Sequence, residues 1–513
     1  MSELMDFSNR ITKKWIVWAA CACCFQVCLG QTNPKAVSYE DFGAVGDGVT
    51  DDMPAIQKAH AHANKNGLPV RTKPGATYHL GRKAITAVIQ TNTDWGTSKF
   101  IIDDSQGVEN KGRPLFEIRS VLEPVPLKID RLKRGQTKLD VRPPGDCLVH
   151  VENDKKRLFI RKGKNQNDGQ PQQEVFVLKK DGSIIGAIEW DYDEITKITA
   201  LPIDETVLQV RGGVFTNIAN QAGPKDPPGY WARNILVKRS KTIIEGVTNQ
   251  VTGEKDYGHP YRGFLSAERC AYAVFRDCTV DGRKTYSKPS KTTGTVPMGT
   301  YGYHANLVVD FRMIGCRMGN DINDGSRWGV VASNFMKNFL VEKCTLSRVD
   351  VHMGVSGFYT IRDSTLGHAG LNAIGRGLLT VENTTIQSGK FISFRPDYGS
   401  TWEGDVIIRN CRWKTSNKNP VVFGMQNDGS HDFGYACFMP KNISIEGLTI
   451  DEPQGSNEVV LLENPFGKSA AGQAFPYRMT EGIRIRNFKS NSGKAPQVSK
   501  NPEIVKAVKL AIE

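Results

Sequence analysis

Between residues 320 and 400 of the 513-residue chain, successive segments carry arginine, lysine, aspartate or histidine at positions where a repeating structure would align them. Within this stretch, Arg348, Asp350 and His352 alternate with two valines. Side chains two positions apart in a strand point to the same side, so we expect these three to share one face. A histidine beside a carboxylate and a guanidinium can act as a general base, oriented by the carboxylate, while the cation stabilises developing negative charge. The spacing therefore predicts proton-abstraction chemistry.

The same stretch supplies further candidates, because successive units of a repeating structure place equivalent positions above one another. We predict His368 as an alternative base and Arg376 as an alternative cation. Guanidinium groups match planar anions, and tyrosine rings stack on sugar rings. The predicted substrate-binding residues are Asp324, Arg327, Lys390, Arg395, Asp397, Tyr398 and His304. The competing interpretation is a solvated surface with ordinary exposed salt bridges.

β-Elimination from a uronic acid fits these residue types. A cation neutralises the sugar carboxylate, which acidifies the neighbouring C–H bond, and a base then removes the proton. Here His352 or His368 is the predicted base, and Arg348, Arg376 or Arg395 is the predicted neutralising cation. The same chemistry either cleaves a glycosidic bond, as in a polysaccharide lyase, or expels water from a terminal uronate, as in an oligosaccharide dehydratase. Both outcomes are compatible with the residues.

Two other functions remain open at this stage. Glycoside hydrolysis needs two carboxyl groups roughly 5 to 9.5 Å apart, which Asp324, Asp350 and Asp397 can supply. A non-catalytic carbohydrate-binding solenoid needs only the binding face. Elimination is favoured because bases and cations outnumber carboxylates on the predicted face.

The sequence predicts no cofactor, with calcium as the alternative. The segment Asp321–Gly325 superficially resembles a calcium loop but lacks the alternating ligand spacing of an EF-hand. No CxxC motif or Cys/His cluster indicates a zinc site. The metal-ligand prediction is therefore none.

A repeat identifies the elements that must position these residues. Each unit alternates apolar and polar residues, continues with a turn-forming residue, and ends in a small or apolar one. The units end at Cys278, Cys316, Cys344, Ser364, Thr384, Cys411, Leu448 and Phe488. The shortest spacing, about 20 residues, corresponds to one bare coil of a parallel β-helix, and longer spacings indicate loop insertions. We therefore predict an all-β fold, a right-handed single-stranded parallel β-helix.

The N-terminal region predicts how this β-helix begins. The segment 41–52, DFGAVGDGVTDD, leads into a helix with Pro54 in its first turn, which would cover the first coil. With the Pro74–Tyr78 turn, this segment resembles the start of pectate-lyase-like β-helix proteins, which include polygalacturonases, several lyases and phage tailspikes. The resemblance implies the fold and action on polysaccharides. The polygalacturonase motifs are absent, and only Gly367–Gly370 is a faint echo of one.

We divide the chain into five parts. Residues 1–30 read as a signal peptide, because Arg10, Lys13 and Lys14 precede a short apolar run. The other predicted parts are the N-terminal cap and first coils (31–107), a small inserted β subdomain (108–206), the parallel β-helix with its catalytic face (207–490) and a C-terminal tail (491–513). The protein is predicted to be exported, either periplasmic or secreted.

The net charge indicates which kind of binding partner to expect, and the cysteine content indicates whether disulfides are expected. The formal net charge is +13. For an exported protein this favours an anionic polysaccharide or oligosaccharide, and no sequence motif supports a nucleic acid. No segment after residue 30 has the roughly 20 apolar residues that a membrane span needs.

The seven cysteines after residue 30 are odd in number and scattered, so we expect small buried core residues rather than a disulfide framework. The oligomeric state is not predicted.

Overall fold

The structure is a computed structural model that describes residues 36–513 apart from 163–165, 224, 228, 290–294, 427–430 and 466–476. The predicted signal peptide lies outside the described residues. No helix in the described part of the chain is long and apolar enough to cross a membrane.

The N-terminal region contains the predicted capping helix, α1 (Met53–Asn66). Asp52 precedes it, and its carboxylate accepts hydrogen bonds from the backbone of Val45 and Gly46, which folds the preceding loop onto the helix start. Ile56 and Ala59 on α1 are fully buried in the main core, so the helix covers the first coils. The strands of this region are β1 (Asp47–Asp51), β2 (Val70–Arg71), β3 (Thr77–His79), β4 (Ala87–Ile89), β5 (Thr93–Asp103) and β6 (Phe116–Ile118).

A three-stranded antiparallel sheet forms the inserted β subdomain. Its strands are β7 (Cys147–Leu158), β8 (Gln170–Leu178) and β9 (Lys197–Pro202). One face encloses a separate small core, and the other packs Leu148 and Val177 against Leu307 and Val309 of the β-helix. The chain leaves and re-enters the β-helix at neighbouring points, since the Ser120 hydroxyl donates to the Asp204 carboxylate at 3.0 Å. The predicted limits 108 and 206 stay a prediction, and β6, inside them, pairs with coil strands.

Most of the remaining strands build the coils. The coil strands are β10 (Leu208–Ile218), β11 (Ile235–Val237), β12 (Thr242–Glu245), β13 (Thr248–Thr252), β14 (Leu265–Ala271), β15 (Val274–Arg276), β16 (Thr279–Val280), β19 (Tyr301–Ile314), β20 (Arg317–Met318), β21 (Val330–Glu342), β22 (Thr345–Arg362), β23 (Thr365–Ala373), β24 (Gly375–Glu382), β25 (Thr385–Ile386), β26 (Lys390–Phe394), β27 (Trp402–Lys414), β28 (Val421–Met425), β30 (Asn442–Asp451), β31 (Val460–Leu462) and β33 (Gly482–Ser490). Two further pairs form separate two-stranded sheets: β17 (Tyr286–Pro289) with β18 (Thr295–Met298), and β29 (Cys437–Phe438) with β32 (Tyr477–Arg478).

The parallel pairings form three ladders that run along the solenoid. The first ladder passes through β11, β14, β19, β21, β22, β23, β26, β28 and β31. The second passes through β12, β15, β19, β21, β22, β24, β27, β30 and β33. The third includes β13, β16, β20, β22, β23, β25 and β27. This confirms the predicted all-β parallel β-helix, and the sequence repeat corresponds to the second ladder.

The bend after each second-ladder strand explains the repeat. Its turn residue adopts a left-handed conformation, with φ of 49° at Asp277, 51° at Asp363 and 48° at Asn383. Aspartate, asparagine and glycine tolerate this region best, which is why they recur there. The following small residue points inward, as Cys278, Cys316 and Cys344 do. All seven cysteines after residue 30 are buried and unpaired, as predicted.

The C-terminal residues add to the last coil. Helix α2 (Pro502–Ala507) is capped by the Asn501 side chain, which accepts from the backbone of Glu503. It is followed by β34 (Lys509–Ile512), which pairs in parallel with β33. The second ladder therefore continues into the segment predicted as a tail.

Candidate active site

The catalytic residues predicted on β22 lie together. Val349 and Val351 point into the core and are fully buried, so Arg348, Asp350 and His352 project outward on the first ladder. We use the term His352 cluster for these three with Tyr301, Arg395 and Asp397. Tyr301 comes from the start of β19, and Arg395 follows β26. Three coils thus contribute to one cluster.

Asp350 is the centre of the His352 cluster and has no exposed surface. Its carboxylate accepts from Nη1 of Arg395 at 2.9 and 3.0 Å, lies 3.1 Å from Nη2 of Arg348 and 3.2 Å from Nε2 of His352. Burial raises the pKa of Asp350, but the positive charges of Arg348 and Arg395 outweigh it and hold that pKa well below its usual range. Asp350 is therefore a permanent anion that orients its three neighbours.

Asp397 forms the second anion of the cluster. It accepts from Nη2 of Arg395 at 2.8 Å and forms an ion pair with Arg161, which comes from the inserted subdomain. Burial opposes ionisation of Asp397, but Arg395 and Arg161 lower its pKa. The guanidinium of Arg161 lies 4.9 Å from the ring centre of Tyr398, which is almost completely buried. Tyr398 therefore packs beneath these charges.

His352 carries the features of a neutral base. Burial lowers its pKa, and Arg395 and Arg348 act in the same direction, whereas Asp350 opposes them. Its Nε2 atom lies 3.5 Å from the Tyr301 hydroxyl. Burial raises the pKa of Tyr301 well above its usual value, so this hydroxyl stays protonated. A neutral imidazole and a protonated phenol are thus adjacent.

An aromatic wall extends from this pair. Tyr230 stacks on Tyr301 with the ring centres 6.1 Å apart and the planes 10° apart, and 38% of its surface is exposed. The ring of His304 also lies near Tyr301, at 6.4 Å between ring centres. Burial lowers the pKa of His304 to about 3, so it is uncharged at neutral pH.

The cluster carries an excess of positive charge. When the adjoining Arg161 is counted, three guanidinium groups, those of Arg161, Arg348 and Arg395, pair among the described residues with two carboxylates, Asp350 and Asp397. The Nε atom of Arg348 is buried without a hydrogen-bond partner among the described residues, and its guanidinium lies 4.8 Å from the Trp328 ring centre. Such a site attracts an anion.

Other predicted residues lie outside the cluster. His368 Nδ1 is 3.0 Å from the backbone oxygen of Ile322. Arg327 pairs with Asp324 at 3.4 Å and with Glu254 at 3.0 Å. Lys390 forms an ion pair with Glu463. These side chains already have protein partners, and the structure does not bring them together with His352.

Arg376 lies in a separate cavity, which we call the interface pocket because the inserted subdomain and the β-helix both line it. Its empty volume is about 590 Å³ when the open solvent at its mouth is counted, and its walls include Phe159, Glu174, Glu189, Trp190, Arg376 and Glu403. The guanidinium of Arg376 lies 3.9 Å from the Trp190 ring centre and 3.3 Å from the Glu403 carboxylate.

Sequence reasoning did not identify Arg161, Glu174 or Glu189 as site residues. All three belong to the inserted subdomain, which has no repeat to align it with the coils. Arg161 is 236 positions from Asp397 in the chain, so no local pattern connects them. Among the described residues, no three His, Cys, Asp or Glu side chains converge as metal ligands. The calcium alternative stays a prediction.

Comparisons with known proteins identify proteins that the chain resembles in sequence or in fold. No family model matches the chain. A capsule KL64-specific depolymerase of Klebsiella phage P510 is 29% identical over 99 residues, which are 17% of this chain and 10% of that protein. The chain therefore aligns with about a tenth of the length of that relative.

Two solved tailspikes share the architecture. The tailspike of Pseudomonas phage phi297 has a TM-score of 0.52 at 12% identity, covering 93% of this chain and 83% of that one. The tailspike of Acinetobacter baumannii bacteriophage AP22, solved with a capsular saccharide of that bacterium, has a TM-score of 0.52 at 10% identity, covering 93% and 79%. The chain is a right-handed parallel β-helix protein. Its parallel β-helix fold is the one that these tailspikes have and that the N-terminal segment predicted.

Proposed function

We propose that the protein is an exported enzyme that degrades an anionic polysaccharide or oligosaccharide by β-elimination at the His352 cluster. The observation that carries this proposal is the contact between His352 and the ionised Asp350, beside a protonated tyrosine and a surplus of guanidinium groups. The resemblance to a capsule depolymerase over a short region, and to a tailspike that binds a capsular saccharide, supports a polysaccharide as the substrate.

The uronate carboxylate binds at the guanidinium groups in this proposal. Their positive excess attracts the anion, and the guanidinium of Arg348, whose side chain is 11% exposed, pairs with it while Asp350 holds Nη2. Neutralising the carboxylate makes the adjacent C5 proton more acidic, because the negative charge that develops during its removal spreads onto that carboxylate. Arg395 remains bound to Asp350 and Asp397, so its role is to position Asp350.

His352 then removes the C5 proton. The Asp350 carboxylate accepts a hydrogen bond from Nε2–H of His352. This hydrogen bond fixes the tautomer and leaves Nδ1 as the basic nitrogen. The C5–H electron pair forms the C4–C5 double bond as the C4–O bond breaks. The Tyr301 hydroxyl, 3.5 Å from the imidazole, donates a proton to the departing oxygen. If that oxygen links two sugars the chain is cut, and if it is a hydroxyl the sugar is dehydrated.

The electrostatics favour elimination over hydrolysis at this cluster. A glycoside hydrolase needs one carboxyl group that is protonated at the start of the reaction. The pKa values of Asp350 and Asp397 are both lowered by arginines, so neither can supply a proton near neutral pH. Asp324, the third predicted carboxylate, lies with Arg327 outside the cluster.

The test is to incubate the purified protein with pectic, alginate, ulvan-type, glycosaminoglycan and capsular polymers and to record the ultraviolet absorbance of 4,5-unsaturated uronate. We expect absorbance to rise with one substrate class. His352→Ala should slow the rise about 100-fold or more, because general bases contribute about 100- to 10,000-fold. His62→Ala, on the exposed side of α1, is the matched control and should not change the rate.

Product masses then separate bond cleavage from dehydration. Reducing ends that appear without absorbance, and that persist in His352→Ala, would overturn elimination. Tight binding without any product would instead support the carbohydrate-binding alternative.

A further inference from the structure

A partly exposed aromatic ring lies beside the His352 cluster, on the side of the cluster that faces the first coils. Tyr230 precedes β11, and its ring stacks on that of Tyr301 with the ring centres 6.1 Å apart. The ring centre of Tyr301 is in turn 5.9 Å from that of His352. Two ring-to-ring steps therefore lead from the proposed base to an aromatic surface that solvent reaches.

Backbone hydrogen bonds between two successive coils hold this region in place. The amide of Arg262 donates to the carbonyl oxygen of Trp231, which follows Tyr230, at 2.8 Å. The buried side chain of Asn234 donates to the carbonyl oxygens of Arg262 and Gly263 at 3.2 and 2.9 Å. These hydrogen bonds fix the backbone from which the Tyr230 and Arg262 side chains extend.

Arg262 is a cation without a carboxylate partner. Its side chain is exposed and forms no ion pair within the described part of the chain. Burial raises the pKa of Tyr230, and the charge of Arg262 opposes this rise, so the guanidinium lies close to that ring. A Cβ atom added at Gly263 would lie 2.6 Å from Cβ of His304. The chain at Arg262 therefore packs directly against His304.

His304 connects Arg262 to the His352 cluster. Its ring centre is 6.4 Å from that of Tyr301, and burial together with the charge of Arg262 keeps it uncharged at neutral pH. Its side chain forms no hydrogen bond with the described residues. A neutral imidazole has one donor and one acceptor nitrogen, which is the combination that a sugar hydroxyl matches.

These three side chains suit an anionic sugar. The C–H face of a sugar ring packs on an exposed tyrosine ring, and a guanidinium group binds a carboxylate or a sulfate. Arg262 is available for such a contact because no carboxylate of the described residues occupies it. Since Tyr230 is separated from His352 by the whole ring of Tyr301, a sugar bound there is not the sugar that reacts at His352.

We infer that Tyr230, Arg262 and His304 form a binding subsite for a second anionic sugar of the substrate chain, on the side of the reacting sugar that faces the first coils. Tyr230 packs against the ring of this sugar, Arg262 binds its carboxylate or sulfate, and His304 hydrogen-bonds to a hydroxyl between the two positions. The inference rests on the proposed function for the place of the reacting sugar. It narrows the substrate class to polymers whose acidic units recur closely enough to occupy both positions.

The test measures equilibrium binding by calorimetry to protein carrying His352→Ala, so that no probe is consumed. The probes are oligosaccharides of increasing length from pectic, alginate, ulvan-type and glycosaminoglycan polymers. We expect the affinity to rise with length for at least one class. Arg262→Ala should weaken binding of the longer probes about 10-fold or more, and Tyr230→Ala about 3- to 10-fold. Tyr230→Phe keeps the ring and should retain the affinity.

Two controls identify the contact that is lost. Arg317→Ala removes an exposed arginine from β20 on the third ladder and should leave every affinity unchanged. The probes are also used after reduction of their carboxyl groups or removal of their sulfates. The modification that removes the group bound by Arg262 should abolish the difference between Arg262→Ala and its parent protein. Thermal unfolding checks that both variants fold, as expected for exposed side chains.

The inference is overturned if none of the probes binds, or if Arg262→Ala and Tyr230→Ala leave the affinity for the longer probes unchanged. An equal loss for charged and modified probes would also overturn it, because the role of Arg262 would then not depend on an anion. Elimination is measured separately on protein that retains His352. Longer probes that bind as expected but give no unsaturated product would contradict only the elimination proposal.

Discussion

Asp350 lies 3.2 Å from Nε2 of His352 and, with the same carboxylate, binds both Arg348 and Arg395. One fully buried anion therefore connects the proposed base to the proposed anion-binding groups. This arrangement gives Asp350 two separable roles, in the stability of the protein and in the orientation of His352.

We expect Asp350→Asn to lower the free energy of unfolding by about 3 to 5 kcal/mol, because the buried Arg348 loses its carboxylate partner and Arg395 keeps only Asp397. Chemical denaturation followed by circular dichroism measures this change. Glu194→Gln removes an exposed ion pair with Lys155 and should leave the midpoint nearly unchanged. Equal effects of the two substitutions would show that the Asp350 network does not stabilise the fold.

Stability should also fall as the pH is lowered. The pKa of His352 is lowered in the folded protein, so the unfolded chain binds a proton first, and stability is lost below the unfolded histidine pKa of about 6.5. The pKa values of Asp350 and Asp397 are lowered as well, so a further loss begins below about 3.9. Denaturation curves recorded between pH 7 and pH 3 test both windows. The His352→Gln variant should show a smaller loss of stability below about pH 6.5 and an unchanged loss below about pH 3.9.

The ionisation of Glu174 should change the stability of the protein with pH in the opposite direction. Its pKa is raised to about 7 in the folded protein, so its contribution is fully present below the unfolded glutamate pKa of about 4.3 and is lost as pH rises through 7. The wild type should therefore lose stability relative to Glu174→Gln between pH 5 and pH 8. A constant difference between the two proteins over this range would show that Glu174 ionises normally.

Arg161→Ala should weaken the binding of anionic substrate more than it slows the chemical step. The substitution removes the excess positive charge beside the cluster and one ion-pair partner of Asp397. A hydrogen bond to a charged group contributes about 1.5 to 3 kcal/mol of net stabilisation. We expect KM to rise about 10-fold or more, with a smaller change in kcat. Lys180→Ala, an exposed cation on the same subdomain, is the control. A similar loss on a carboxyl-reduced polymer would indicate a structural role for Arg161 instead.

The coil architecture was predictable because its physical requirements are local. A left-handed bend favours aspartate, asparagine or glycine, and the next position favours a small or apolar residue, so Asp277–Cys278 and Asn383–Thr384 reveal the repeat. The grouping of Arg348, Asp350 and His352 followed from strand alternation alone. These features need no knowledge of distant parts of the chain.

The rest of the site depends on packing between distant segments. Arg161 and Glu174 reach the β-helix only because the subdomain docks through Leu148 and Val177, a contact that no periodicity encodes. Arg376 lies on β24 in the second ladder, whereas Arg348 lies on the first, and Arg376 contacts Glu403 of the next coil and Trp190 of the docked subdomain. The loop geometry around His368 likewise depends on the backbone of Ile322.

The hydrogen bond between Ser120 and Asp204 has an evolutionary consequence. Because the subdomain departs from the solenoid and returns at adjacent points, it can be exchanged as a cassette while the strand ladders on either side keep their register. Such a graft would replace Arg161, Glu174 and Glu189 in one event and leave the β22 residues in place. New saccharide preferences could then arise by recombination at this junction, without gradual change in the scaffold.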